Sequence, residues 1–254
     1  MLRVCAVRYL NTAPLVWGML HGPQRGRFDL SFEIPAKCAD AVAGNAADIG
    51  IIPSIELETQ DLTIVPGLGI ASTGPVRSIL LISKVAAPEI RVLAADASSR
   101  TSVALSRIIL ADRYGAEPRI LSHAPELGEM LAVADAALII GDPALHLNPA
   151  ELRYHVYDLG KEWKEMTGLP MVFAVWAGRP GCITPEVTEI FRDSYEYGKG
   201  NMDEILDREA LPRGFDRDLA RRYLCEHITY ELNAEAYRGM ELFRRLGRRF
   251  ADGR

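Results

Sequence analysis

The chain lacks most of the short signatures by which a protein of this size announces its chemistry. Its four cysteines (Cys5, Cys38, Cys182 and Cys225) are scattered, with no C-x-x-C pair. That excludes a dithiol motif and predicts small buried hydrophobes instead. The five histidines show no H-x-x-x-H or E-x-x-H spacing, so no structural or catalytic metal is expected. Positive charge is in deficit, with 29 Lys and Arg against 34 Asp and Glu, and a nucleic-acid role has no electrostatic support. No apolar run reaches membrane-spanning length, and Leu2-Arg3-Val4 passes straight into a strand pattern without a secretory signal. A cytoplasmic protein with no membrane partner is the expectation. G-x-S-x-G and Walker motifs are missing, and Gly67-Leu68-Gly69 is only a fragment of a dinucleotide fingerprint.

What is there is 254 residues, 48% hydrophobic, in alternating strand and helix patterns without internal repeats. That is enough for one large core or two small ones. Strands are predicted at 2–10, 28–34, 47–52, 63–71, 78–83, 91–95, 119–121, 136–140 and 171–177. Helices are predicted at 13–21, 36–44, 102–114 (closed by Gly115) and 126–133. From Thr184 onward the pattern reads as helical, with a stripe of Ala220, Leu224, Ile228 and Leu232 and a last helix capped by Asn233. Alternation of this kind implies mainly parallel α/β sheets. The simplest arrangement has two lobes. Residues 1–84 and 175–254 form lobe one, and 85–174 form lobe two. Crossing strands at 78–83 and 171–177 act as the hinge. A ligand would then bind between the carboxyl ends of two facing sheets.

Two strand-to-helix loops carry the chemistry. In Val7-Arg8-Tyr9-Leu10-Asn11-Thr12-Ala13-Pro14-Leu15, Asn11 and Thr12 are N-cap residue types, and Pro14 suits a first helical turn. A carboxamide, a hydroxyl and free N–H groups at a helix N-terminus suit a carboxylate or phosphate. The second loop, Asp96-Ala97-Ser98-Ser99-Arg100-Thr101-Ser102, offers four hydroxyls where one would suffice for a cap, so Ser98, Ser99, Thr101 and Ser102 are candidate anion ligands. Arg100 is either solvated or paired with a carboxylate. Ser54 ends another strand as a cap or a donor. Ser78 opens a crossing strand facing the cleft, and Gly141-Asp142-Pro143 follows an apolar strand, with Asp142 either a cap or an acceptor for a ligand hydroxyl. Glu162-Trp163-Lys164-Glu165 either lines or covers the cleft or packs as an anchor.

These blocks resemble the menaquinone-biosynthesis chorismate dehydratases of the futalosine route. The opening motif, Asp48-Ile49-Gly50-Ile51-Ile52-Pro53-Ser54-Ile55-Glu56, Val76-Arg77-Ser78-Ile79-Leu80-Leu81-Ile82-Ser83-Lys84, Ser98-Ser99-Arg100-Thr101-Ser102 and Ile139-Ile140-Gly141-Asp142-Pro143-Ala144-Leu145 match in order. Asp158-Leu159-Gly160, Trp163 and Thr167-Gly168-Leu169-Pro170 extend the match. The resemblance implies a type II periplasmic-binding-protein-like fold and conversion of chorismate to 3-[(1-carboxyvinyl)oxy]benzoate and water, without a cofactor. Asn11 and Ser78 are the expected catalytic residues. Thr12, Ser54, Ser98, Ser99, Thr101, Ser102, Gly141 and Asp142 are the expected substrate contacts. None of the hydroxyl and amide candidates is a strong base, which leaves the substrate's own enolpyruvyl carboxylate, Asp142 or a water to take the proton. The related 1,4-dihydroxy-6-naphthoate synthases carry a catalytic His after the strand at 136–140. Here that place reads Gly141-Asp142, with His146 farther on. A non-catalytic binding protein for a small carboxylate and the sensing domain of a regulator are the alternatives from other classes.

Overall fold

The computed structural model describes residues 1–96 and 98–253, so Ala97 of the second loop lies outside the described residues. The strands form two sheets. The first has six strands in the order β11-β4-β10-β3-β1-β2, and the second five in the order β7-β6-β8-β5-β9. The first sheet is built from β1 (Arg3–Val7), β2 (Asp29–Glu33), β3 (Ile49–Pro53), β4 (Thr63–Ser72), β10 (Met171–Gly178) and β11 (Thr229–Glu231). The second contains β5 (Ile79–Ser83), β6 (Val92–Asp96), β7 (Arg119–His123), β8 (Ala136–Ile140) and β9 (His155–Asp158). Strands β3, β5 and β8 are buried at every position, which is why they read as unbroken apolar runs.

Pairing is mixed rather than mainly parallel. β1 runs parallel to β2 and β3, and β6 parallel to β7 and β8. β10 and β5 are each antiparallel to both of their neighbours. The expected crossing strands exist as β10 and β5, but each lies wholly within one sheet. The chain changes sheets just before them, at residues 73–78 and between β9 and β10. Divided by sheet, the lobes therefore change over earlier than residues 84 and 175. The physical reason is that Ile79–Ser83 pairs with β8 and β9 along its whole length.

The helices are α1 (Ala13–His21), α2 (Pro35–Ala43), α3 (Arg100–Tyr114), α4 (Leu127–Val133), α5 (Gly141–His146), α6 (Leu159–Thr167), α7 (Pro185–Gly200), α8 (Met202–Ile205), α9 (Arg217–Arg222) and α10 (Ala234–Gly247). Caps follow the sequence where it was explicit. Thr184 accepts from the Val187 N–H, Asn233 accepts from the Ala236 N–H, and Gly115 ends α3 in the left-handed region. The expected helical run after Thr184 is broken by β11, whose backbone pairs with the edge strand β4. Ala220, Leu224, Ile228 and Leu232 are all buried, so the stripe is real, but it is split: Ala220 lies in α9, Leu224 in the turn that follows, and Ile228 and Leu232 flank β11. α1 is held tightly from behind by α7: a Cβ on Gly198 would collide with the Pro14 carbonyl oxygen. Ser194 Oγ donates to the Leu15 carbonyl oxygen at 2.9 Å. These contacts fix the helix that carries the first loop. Of the cysteines, Cys5 and Cys38 are buried, Cys182 is half-buried and Cys225 is exposed, so only the first pair meets the expectation of burial.

Candidate active site

The lobes meet around a cavity. Tyr9, Asn11 and Phe173 line it from the first sheet's side, Ser78 from the crossing, and Ser99, Ser102 and Gly141 from the second. Five of the ten expected site residues thus converge: Asn11, Ser78, Ser99, Ser102 and Gly141. All five are at least nine-tenths buried. Among the described residues Tyr9 is the sole ionisable side chain of the lining, and burial pushes its phenol up to about 12. The site is therefore a neutral, hydrogen-bonding chamber at pH 7, with any preference for anions coming from N–H groups and hydroxyls.

The second loop forms as its composition suggests. Ser99 is the N-cap of α3, with its Oγ accepting from the Ser102 N–H at 3.3 Å and paired with Ser102 Oγ at 2.9 Å. Both hydroxyls border the cavity at the positive end of a 15-residue helix. The first loop forms differently. Leu10–Thr12 is a 3₁₀ turn, and Thr12 makes no side-chain cap bond, because the chain is already helical at Thr12 (φ −86°, ψ −22°). Asn11 instead reaches across the buried interior. Its Nδ2 donates to Tyr223 Oη at 3.0 Å, and Tyr223 Oη donates to Ser78 Oγ at 2.8 Å. Asn11 Oδ1 is buried and without a protein partner.

The other expected contacts lie outside the lining, and three of them, Ser98, Thr101 and Asp142, tie the lobes together. Thr101 Oγ1 accepts from the Ile55 N–H at 3.3 Å, and Ser54 Oγ donates to the Val172 carbonyl oxygen at 2.7 Å. Ser98 Oγ is 3.2 Å from Tyr9 Oη, and its carbonyl oxygen accepts from the Ala36 N–H. Asp142 Oδ1 accepts from the Leu10 N–H at 2.9 Å, and Oδ2 lies 3.4 Å from Arg213 Nε. Burial holds its carboxyl above the ordinary range. Arg100 bridges to Asp40 at 2.7 Å and to Glu56 at 2.9 Å. Thr12 is buried with its hydroxyl unpartnered.

Sequence reasoning missed Tyr223, although a tyrosine inside an apolar helical stripe carries its own signal: a buried phenol needs a partner. Trp163 is fully buried and packs edge-on against Phe243, so it anchors α6 and does not line the cavity. His146 is exposed and stacks on Phe215, outside the lining. Among the described residues no group of three or more His, Cys, Asp or Glu side chains is placed to hold a metal ion. No helix among them is long and apolar enough to cross a membrane.

Known proteins share both the sequence pattern and the shape. The sequence profile of the family described as "Menaquinone biosynthesis" matches residues 2–249. A chorismate dehydratase from Thermus thermophilus is 30% identical, over 93% of this chain and 91% of its own. Among solved structures, protein AF1704 from Archaeoglobus fulgidus superposes with a TM-score of 0.78 at 17% identity, covering 98% of this chain and 97% of that one. The periplasmic aliphatic sulphonate binding protein SsuA from Escherichia coli superposes with a TM-score of 0.65 at 15% identity, covering 99% and 91%. At these identities the structural likenesses show the fold, which is that of the periplasmic binding proteins.

Proposed function

The chain belongs to the menaquinone biosynthesis family, and we propose that it is a chorismate dehydratase, a hydro-lyase converting chorismate to 3-[(1-carboxyvinyl)oxy]benzoate and water. The 30% identical Thermus thermophilus enzyme supports the reaction. The observation that carries the reading in this molecule is the chamber itself: lined by buried residues, free of charged side chains among the described residues, and furnished with Asn11, Ser78, Ser99 and Ser102. Chorismate brings two carboxylates and an allylic hydroxyl. Loss of the C4 hydroxyl and the C3 proton makes the ring aromatic, so the enzyme's task is orientation and stabilisation of developing charge rather than thermodynamic drive.

Among the described residues the lining contains no carboxylate or imidazole, and both oxygens of Asp142 face lobe-bridging donors. This favours proton transfer to the substrate's own enolpyruvyl carboxylate in an E1cB-like elimination. The Ser99 and Ser102 end of α3 suits one carboxylate. Asn11 and Ser78 suit the reacting carboxylate and the departing hydroxyl. Incubation with chorismate, followed by ultraviolet spectroscopy, tests the reaction: an aromatic product is expected, and a spectrum unchanged after prolonged incubation would overturn the assignment. A chorismate analogue lacking the enolpyruvyl carboxylate tests the base, since undiminished turnover would remove substrate assistance.

A further inference from the structure

Tyr223 follows α9 in the segment Tyr223–His227, far in sequence from either lobe's loops, yet its hydroxyl lies between the two candidate catalytic side chains. It is 1% exposed. A phenol in that position has one proton to give and lone pairs to accept with. It gives the proton to Ser78 Oγ at 2.8 Å and accepts from Asn11 Nδ2 at 3.0 Å. Two consequences follow. The Asn11 carboxamide is held by its nitrogen, leaving Oδ1 as the unpartnered atom of a cavity-lining residue. Ser78 Oγ already accepts a bond, so its own hydrogen is free to donate. Burial raises the phenol well above its ordinary range, so it stays neutral and keeps its proton.

We infer that Tyr223 is a positioning residue that couples Asn11 and Ser78 into one unit. It presents an acceptor from Asn11 and a donor from Ser78 to the ligand at a fixed spacing. It does not itself line the cavity, so its effect on the reaction passes through those two side chains. In the dehydratase reading, on which the kinetic part of this inference rests, the acceptor meets the substrate hydroxyl and the donor meets a carboxylate or departing oxygen. An acceptor and a donor aligned together matter more for the transition state than for initial binding.

Tyr223→Phe keeps the buried ring and removes only the bridge. With chorismate as substrate, kcat is expected to fall about a hundredfold, the size typical of a misplaced reacting group, while KM stays within about threefold. Circular dichroism should show a folded protein. The double variant Tyr223→Phe with Ser78→Ala is expected to be no slower than Ser78→Ala alone, because both break the same unit. A kcat for Tyr223→Phe within about twofold of the unaltered enzyme, or effects that multiply in the double variant, would overturn the inference. If the unaltered protein does not convert chorismate, the dehydratase reading fails, and crystal structures of it and of Tyr223→Phe decide the positioning role independently. The Asn11 carboxamide and Ser78 hydroxyl should turn from their present rotamers, and unchanged rotamers for both would refute it.

Discussion

Across the cleft two loops follow a parallel strand and lead into a helix, one at Asn11 and one at Ser99. They are alike in residue type and differ in how their polar groups are used. At Ser99 the cap is local: its hydroxyl accepts from Ser102 N–H and the hydroxyls of both border the cavity, while Ser98, Arg100 and Thr101 beside them bond the opposite lobe. At Asn11 the loop satisfies little by itself. Thr12 makes no cap bond, the Leu10 N–H is taken by Asp142 from the opposite lobe, and the Asn11 amide is taken by Tyr223. A self-capped helix start is a local device, suited to holding an anion. A loop completed by distant groups is correct only when the whole fold is in place and the lobes are together. The first kind suits ground-state binding, the second the transition state.

The sharpest way to break this contrast is at its catalytic side. Asn11→Ala and Ser78→Ala are expected to fold, to bind chorismate in calorimetry, and to lose about a hundredfold to a thousandfold in kcat, as for removal of one preorganised hydrogen-bonding group. Ser102→Ala should instead act chiefly on KM. Steady-state kinetics on the three variants would erase the distinction between the loops if all changed kcat and KM alike.

A somewhat smaller effect is expected from Gly141→Ala, which attacks lobe contact rather than either loop. Gly141 has φ +63°, and a Cβ there would lie 2.7 Å from the Tyr9 ring. Displacing Tyr9 would also loosen its contact with Ser98 Oγ, 3.2 Å away. Overpacking of this kind costs about 1–3 kcal/mol, so kcat/KM should fall by roughly tenfold or more. Small-angle scattering should report a larger radius of gyration, and a compact, fully active variant would show that these contacts do not govern closure.

The loops should also differ in stability. Ser99→Ala removes a working cap and is expected to cost about 1 kcal/mol, or roughly 2–4 °C in Tm for a chain of this size. Thr12→Val removes a buried hydroxyl that has no partner and should leave Tm unchanged or raise it. Thermal denaturation of the two variants tests this, and equal losses would mean that Thr12 caps its helix after all.

The smallest effect concerns Asp142. Its carboxyl is held above the ordinary 3.8 by burial, so the fold favours the protonated form. That contribution is complete below the unfolded value and is lost as pH rises through the folded one. Asp142→Asn keeps an acceptor for the Leu10 N–H and should therefore be slightly more stable than the unaltered protein at pH 7. The advantage should vanish toward about pH 4, in melting curves recorded across that range. A variant less stable at pH 7 would show that the pairing with Arg213 outweighs burial.

Features that depend on neighbours along the chain were legible in the amino-acid order. The apolar runs of β3, β5 and β8, the caps at Thr184 and Asn233, the Gly115 stop and the hydroxyl-rich start of α3 are local matters of burial periodicity and backbone satisfaction. The ordered motifs also marked the family, and Asn11, Ser78, Ser99, Ser102 and Gly141 as residues of one place. Tertiary structure decided what depends on partners far away. β11 became a strand because β4 offered it an edge, and Thr101, Ser54 and Asp142 turned from the cavity to bind the opposite lobe or a neighbouring strand. Tyr223 joined Asn11 and Ser78 across separations of 212 and 145 residues. A hydrogen bond has no signature in sequence spacing when its two ends are brought together only by the packing of the sheets and helices between them, and for that reason the partners of the polar groups had to be read from the folded molecule.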